Sequence, residues 1–161
     1  MRDGTGWVDL YWLPLGAGGH VVRFNGRVYE RLVARREHRS PQDLYHCALL
    51  LHLDGTSYAV EMGPVWNVSA PDRGVVARGP VGAPWLGRLR AFRYEVRCWP
   101  GGSIPDLDEA VGGPVRVSAD PAQASRVRDV LQQVPPLTWG RDELRTGDMW
   151  NSNSLVSWAL A

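Results

Sequence analysis

The stretch 45-YHCALLLHLDGTSYAVEMGP-64 decides how this chain is read. Asp54-Gly55 divides two runs of mainly apolar residues. An Asp-Gly pair in that setting is a strong hairpin signal, because both central residues of a type I′ turn need positive φ. The spacing predicts a strand over Tyr45–Leu53, a two-residue turn, and a return strand over Ser57–Met62. Pairing about that turn sets Leu49 opposite Val60 and Ala48 opposite Glu61. Glu61 then shares a face with His46, on the diagonal, where a carboxylate can hold an imidazole in one tautomer. His46 and His52 also share that face. Two histidines with no cysteine partner make a poor metal site, and no metal or other cofactor is expected. Cys47 points to the opposite face and reads as a small core residue.

Working outward, Trp7–Leu15, His20–Phe24, Gly74–Arg78, Phe92–Trp99 and Val115–Val117 read as further strands. Residues 27–36 carry apolar side chains at helical spacing. Gly79–Gly87 reads as a loop. Asp120-Pro121 opens a helix to about Gln133, with Asp as N-cap and Pro at the first helical position. Pro135-Pro136 stops it, and a polar loop, "WGRDELRTGD", leads to a final helix. Strands and helices mix with hairpins and without repeats, so the expected fold class is α+β, with residues 1–161 forming one domain.

The final helix opens with "NSNS". Ser152, Leu155, Val156 and Ala159 fall on one face, so Ser152 points the way the apolar residues point. Asn151 or Ser152 as an ordinary N-cap accounts for the pattern without any chemistry. The functional reading is a nucleophile. A hydroxyl at a helix N-terminus sits at the positive end of the dipole, beside backbone N–H groups that suit a developing oxyanion. Serine then needs a base, which His46 can supply.

The two stretches together resemble the circularly permuted NlpC/P60 papain-like proteins, whose best-known branch is the lecithin:retinol acyltransferase group. "YHCALLLHLDGTSYAVEMGP" is similar to the family's histidine-bearing hairpin. "NSNSLVSW", from Asn151 to Trp158, is similar to its Asn-Cys-x-x-Phe-Val motif at the start of a helix. Ser152 stands where the family has cysteine. The resemblance covers roughly 30 of the 161 residues and implies an antiparallel sheet packed against helices. It implies acyl transfer on an amide, ester or thioester, with Ser152 as nucleophile, His46 as base and Glu61 in the third position. Asn153, Asn151, Tyr45 and Trp150 are candidates for the oxyanion and substrate region. The serine is consistent with a native serine variant, an engineered Cys→Ser exchange, or a pseudoenzyme that keeps the cleft for binding. In the last case Trp-bearing loops (Trp66, Trp139, Trp150) with Arg141, Asp142 and Arg145 form the binding surface.

The composition excludes several classes. Apolar residues make up 44% of the chain, too many for a disordered protein. The net charge of +1 gives no global attraction to nucleic acid or to an anionic membrane. All 18 basic residues are Arg, which fits a GC-rich coding sequence before it fits an anion-binding surface. No apolar run is long enough to span a bilayer, and "MRDGTGWVDL" lacks the apolar core of a signal peptide. The expected partner is a small-molecule or peptide acyl substrate, and the expected setting is the cytoplasm, with Cys47 and Cys98 reduced.

Overall fold

The computed structural model describes residues 5–15, 30–31, 34–36, 38–65, 73–104 and 107–161. The expected strand at 20–24 and Trp66 lie outside these residues. Of the expected helix over 27–36, residues 30–31 and 34–36 are helical.

Six strands form one antiparallel sheet: β1 (Gly6–Pro14), β2 (Tyr45–Leu53), β3 (Thr56–Pro64), β4 (Val75–Pro80), β5 (Arg93–Pro100) and β6 (Val115–Ser118). Their order across the sheet is β4-β5-β3-β2-β1-β6. Helices follow at Pro121–Leu131 and Ser152–Leu160. The fold class is α+β. The β2–β3 hairpin has the expected register, with Leu49 opposite Val60 and His52 opposite Ser57. Asp54 (φ 48°) and Gly55 (φ 81°) both take the positive φ of a type I′ turn. Asp120 caps the first helix by accepting from Ala122 N at 2.9 Å, and that helix ends at Leu131, two residues earlier than expected. Residues 79–80, expected as loop, complete β4.

Strand alternation sorts the sheet into two faces. Val8, Cys47, Leu49, Leu51, Leu53, Val60, Met62, Tyr94, Val96 and Cys98 face the two helices. They pack on Ala124, Val127 and Leu131 of one helix and on Leu155, Val156 and Ala159 of the other. The far face buries a smaller cluster of Tyr11, Leu13, Ala48, Ala59 and Ile104. Here it also carries charge. Glu95 and Arg97 are 0% and 1% exposed, in a strand whose Tyr94, Val96 and Cys98 fill the helix-side core.

Gly79 is required by packing. A Cβ there would stand 2.5 Å from the Tyr94 hydroxyl and 2.6 Å from the Leu137 carbonyl oxygen. Gly79→Ala is therefore expected to cost about 1–3 kcal/mol through overpacking, read as a fall in the urea midpoint.

Cys47 and Cys98 are free and buried among helix-side apolar residues, and burial pushes both thiols up to about 11. Below pH 9.0, the ordinary thiol value, both are neutral whether the chain is folded or unfolded, so they cost nothing. Above it the unfolded chain loses these protons first, so the folded state loses stability as pH rises from 9.0 towards about 11. Tyr94, pushed up to about 12 chiefly by burial, acts in the same direction at higher pH. Native protein at neutral pH is expected to resist iodoacetamide at both cysteines, checked by intact mass. Alkylation before unfolding would contradict this packing.

Candidate active site

The final helix begins where the sequence signals it. Asn151 is the N-cap, with extended backbone, and its Oδ1 accepts from Asn153 N at 2.8 Å and Ser154 N at 2.9 Å. Ser154 Oγ returns the contact by accepting from Asn151 N at 2.7 Å. This is a capping box in which Ser takes the place usually held by Glu or Gln. Asn151→Ala is expected to cost about 1 kcal/mol, read as a lower thermal midpoint. Ser152 lies on the inner face with Leu155, Val156 and Ala159 and is only 3% exposed.

The helix end docks where two strands part. The β2–β3 ladder ends at Leu49–Val60. Beyond it β2 stays paired with β1 as far as Tyr45, and β3 stays paired with β5 as far as Pro64. The β3-facing backbone groups of Tyr45 and Cys47 would lose their partners there. The Asn153 carboxamide replaces them: Oδ1 accepts from Cys47 N at 2.9 Å, and Nδ2 donates to Tyr45 O at 3.4 Å. One side-chain amide thus stands in for a peptide unit of the absent strand. It ties residues 151–153 to residues 45–47, on either side of His46. Asn153→Ala is expected to cost about 1–3 kcal/mol by leaving a part-buried backbone N–H unpaired, measured by urea unfolding.

The structure brings the Ser152 segment and the His46 segment together and differs from the sequence reading in detail. His46 pairs with Leu13 across β1 and falls on the far face with Ala48 and Leu50, whereas Ser152 belongs to the helix side. The Ser152 hydroxyl is turned to Asn153 Oδ1, at 3.5 Å. Glu61 and His46 share the far face, but the β2–β3 ladder ends before the expected Ala48–Glu61 pair, and the Glu61 carboxylate lies 3.3 Å from Arg97 Nη1.

Three expectations for the oxyanion region are corrected. The backbone N–H of Asn153 is committed to the cap, and so is the Asn151 side chain. The Asn153 side chain secures β2. Trp150 is a core residue, 2% exposed, whose Nε1–H donates to the Tyr94 hydroxyl at 3.0 Å. Tyr45 is 39% exposed, and only its carbonyl oxygen meets Asn153. The loop considered as a binding surface is also partly committed to structure. Asp142 accepts from Thr146 N and Gly147 N, both at 2.9 Å, and Trp139 packs on the core with its ring edge to Tyr94.

Behind Glu61 lies a charge network that the sequence did not single out. Glu95 contacts Arg97 and Arg73 at 3.2 Å each and Arg78 at 3.6 Å. Arg97 joins it to Glu61. Burial pulls the Arg97 guanidinium below its usual range, and Glu61 and Glu95 oppose that shift.

Among the described residues no group of three or more His, Cys, Asp or Glu is placed to hold a metal ion. Among them also, no helix is long and apolar enough to cross a membrane. No family model matches the chain, and no curated protein or solved structure matches it either.

Proposed function

We propose that the chain is an acyl-transfer enzyme built on a permuted papain-like fold, with Ser152 as nucleophile, His46 as general base and Glu61 as its orienting carboxylate. The observation that carries this reading is the Asn153 bridge. It fixes a buried serine at a helix N-terminus against the strand that bears His46, where that strand has parted from β3. The reading requires the Ser152 hydroxyl to leave Asn153 Oδ1 for another staggered χ1 well, on the His46 side.

In the proposed cycle Ser152 Oγ attacks the carbonyl carbon of an ester, thioester or amide while its proton passes to His46. The tetrahedral intermediate collapses, the bond to the leaving group breaks, and His46 returns the proton to that group. Water or an amine then attacks the acyl-serine, giving up a proton to His46, and Ser152 is regenerated. Serine is far less acidic than cysteine, so this site depends on the base more than a thiol site does. Glu61, steadied by Arg97, keeps the imidazole in the tautomer that accepts from the nucleophile.

The test is intact mass after incubation with short-chain and long-chain acyl thioesters. The expected result is one acyl adduct on the wild type, absent from Ser152→Ala and reduced by about 100-fold or more in His46→Ala. A wild type that stays unmodified, with its fold verified, favours a non-catalytic binding module on the same scaffold.

A further inference from the structure

The opposite end of the sheet gathers a second group that the sequence keeps apart. His52 pairs directly with Ser57 across the hairpin and with Trp7 across β1 and β2. Asp9 follows Trp7 by two residues, on the same face. Ser57 Oγ lies 2.9 Å from His52 Nδ1, and His52 Nε2 lies 4.0 Å from Asp9 Oδ2. The Trp7 ring stacks on the imidazole, with centroids 4.2 Å apart and planes 19° from parallel. Asp9 is 6% exposed and fully engaged: its oxygens accept from Arg116 Nε at 2.5 Å, Arg116 Nη2 at 3.4 Å and Trp7 Nε1 at 3.0 Å. Along β2 this group stands about 20 Å from His46, six residues away at the usual strand rise.

We propose that Ser57, His52 and Asp9 form a second hydroxyl-activating site, separate from Ser152, that reacts with small activated esters. Each part has a stated task. Arg116 pairs with the buried Asp9 carboxylate through Nε and Nη2. That charge favours the tautomer with hydrogen on Nε2, which turns the Nδ1 lone pair to the Ser57 hydroxyl. Trp7 fixes the ring plane by stacking on it. The His52 side chain is 23% exposed and Ser57 is half-buried, so a small acyl group reaches the hydroxyl from solvent. With p-nitrophenyl acetate, Ser57 Oγ bonds to the carbonyl carbon and its proton passes to His52. The bond to oxygen breaks and p-nitrophenolate leaves as the anion. Water then attacks the acetyl-serine, acetate departs, and the protons released pass through His52 to solvent.

The experiment uses a fluorophosphonate, whose P–F bond breaks as Ser57 Oγ bonds to phosphorus and fluoride leaves. It is run on full-length Ser152→Ala, so the outcome does not depend on the first site. Peptide mapping is expected to locate one adduct on Ser57, absent when Ser57→Ala is added. Labelling should slow by about 100-fold or more with His52→Ala and with His52→Gln. The Gln variant keeps a hydrogen-bonding partner for Ser57 and cannot take up its proton, so it separates base catalysis from packing. The proposal is overturned by an unlabelled Ser57 in protein with the parent's circular dichroism and melting. It is equally overturned by labelling at the parent rate in both His52 variants.

Discussion

Glu95→Gln is expected to destabilise the protein by about 3–5 kcal/mol, measured as a fall in the urea midpoint at unchanged slope. Glu95 is wholly buried and is the shared counter-charge of Arg73 and Arg97, which are 6% and 1% exposed. Neutralising it leaves two buried guanidiniums close together, with Glu61 3.3 Å from Arg97. The cost is that of stranding charge, and the net strength of the pairs is a different quantity. A double replacement, Glu95→Leu with Arg97→Met, is accordingly expected to cost less than the sum of its single changes, because it removes charge in matched amounts. The same network bears on the site, since Arg97 holds Glu61.

Trp150→Ala is expected to cost about 3–5 kcal/mol. Among the described residues Trp150 is the largest fully buried side chain. Removing it opens a cavity against Tyr94 and takes away the donor to the Tyr94 hydroxyl, which itself donates to Leu137 O at 2.6 Å. Its backbone closes the preceding loop: Trp150 N donates to Arg141 O, and Gly140 N donates to Trp150 O, both at 2.9 Å. Trp150 therefore anchors the chain immediately before Asn151 and Ser152. Thermal unfolding should show the lost stability. Trp150→Phe, which keeps a ring and drops the N–H, should lose a smaller part of it. Equal losses in the two variants would mean that the hydrogen bond, and not the volume, holds this node.

Local features were legible and long-range ones were not. The Asp54-Gly55 turn specified the hairpin and its register because a two-residue loop leaves little freedom in pairing. The inner face of the last helix followed from the spacing of Ser152, Leu155, Val156 and Ala159. The β5 sequence, with Glu95 and Arg97 alternating with Tyr94, Val96 and Cys98, was legible as a strand. Its charges are buried together with Arg73, a long-range contact that no local pattern records. Asp9 and Ser57 are drawn to His52 by pairing on both sides of β2, so their grouping needs the sheet order. At the helix end the sequence offered Asn151 and Asn153 as oxyanion donors. Capping chemistry competes for the same groups, and it wins because a helix start that lacks a cap leaves several N–H groups unpaired. Asn153 as a substitute strand could be inferred only once β2 and β3 were known to part.

The central claim is that Ser152 and His46 act as a pair across the gap between β2 and β3. Alkylation of Ser152→Cys by iodoacetamide tests it most directly, because Cys47 and Cys98 are buried with thiols pushed up to about 11 and leave a quiet background. If the imidazole reaches position 152, the new thiol is held partly as thiolate and alkylates readily at about pH 6.5, with a rate that falls at least tenfold when His46→Ala is added. A Ser152→Cys thiol that reacts at the same rate with and without His46 would contradict the account.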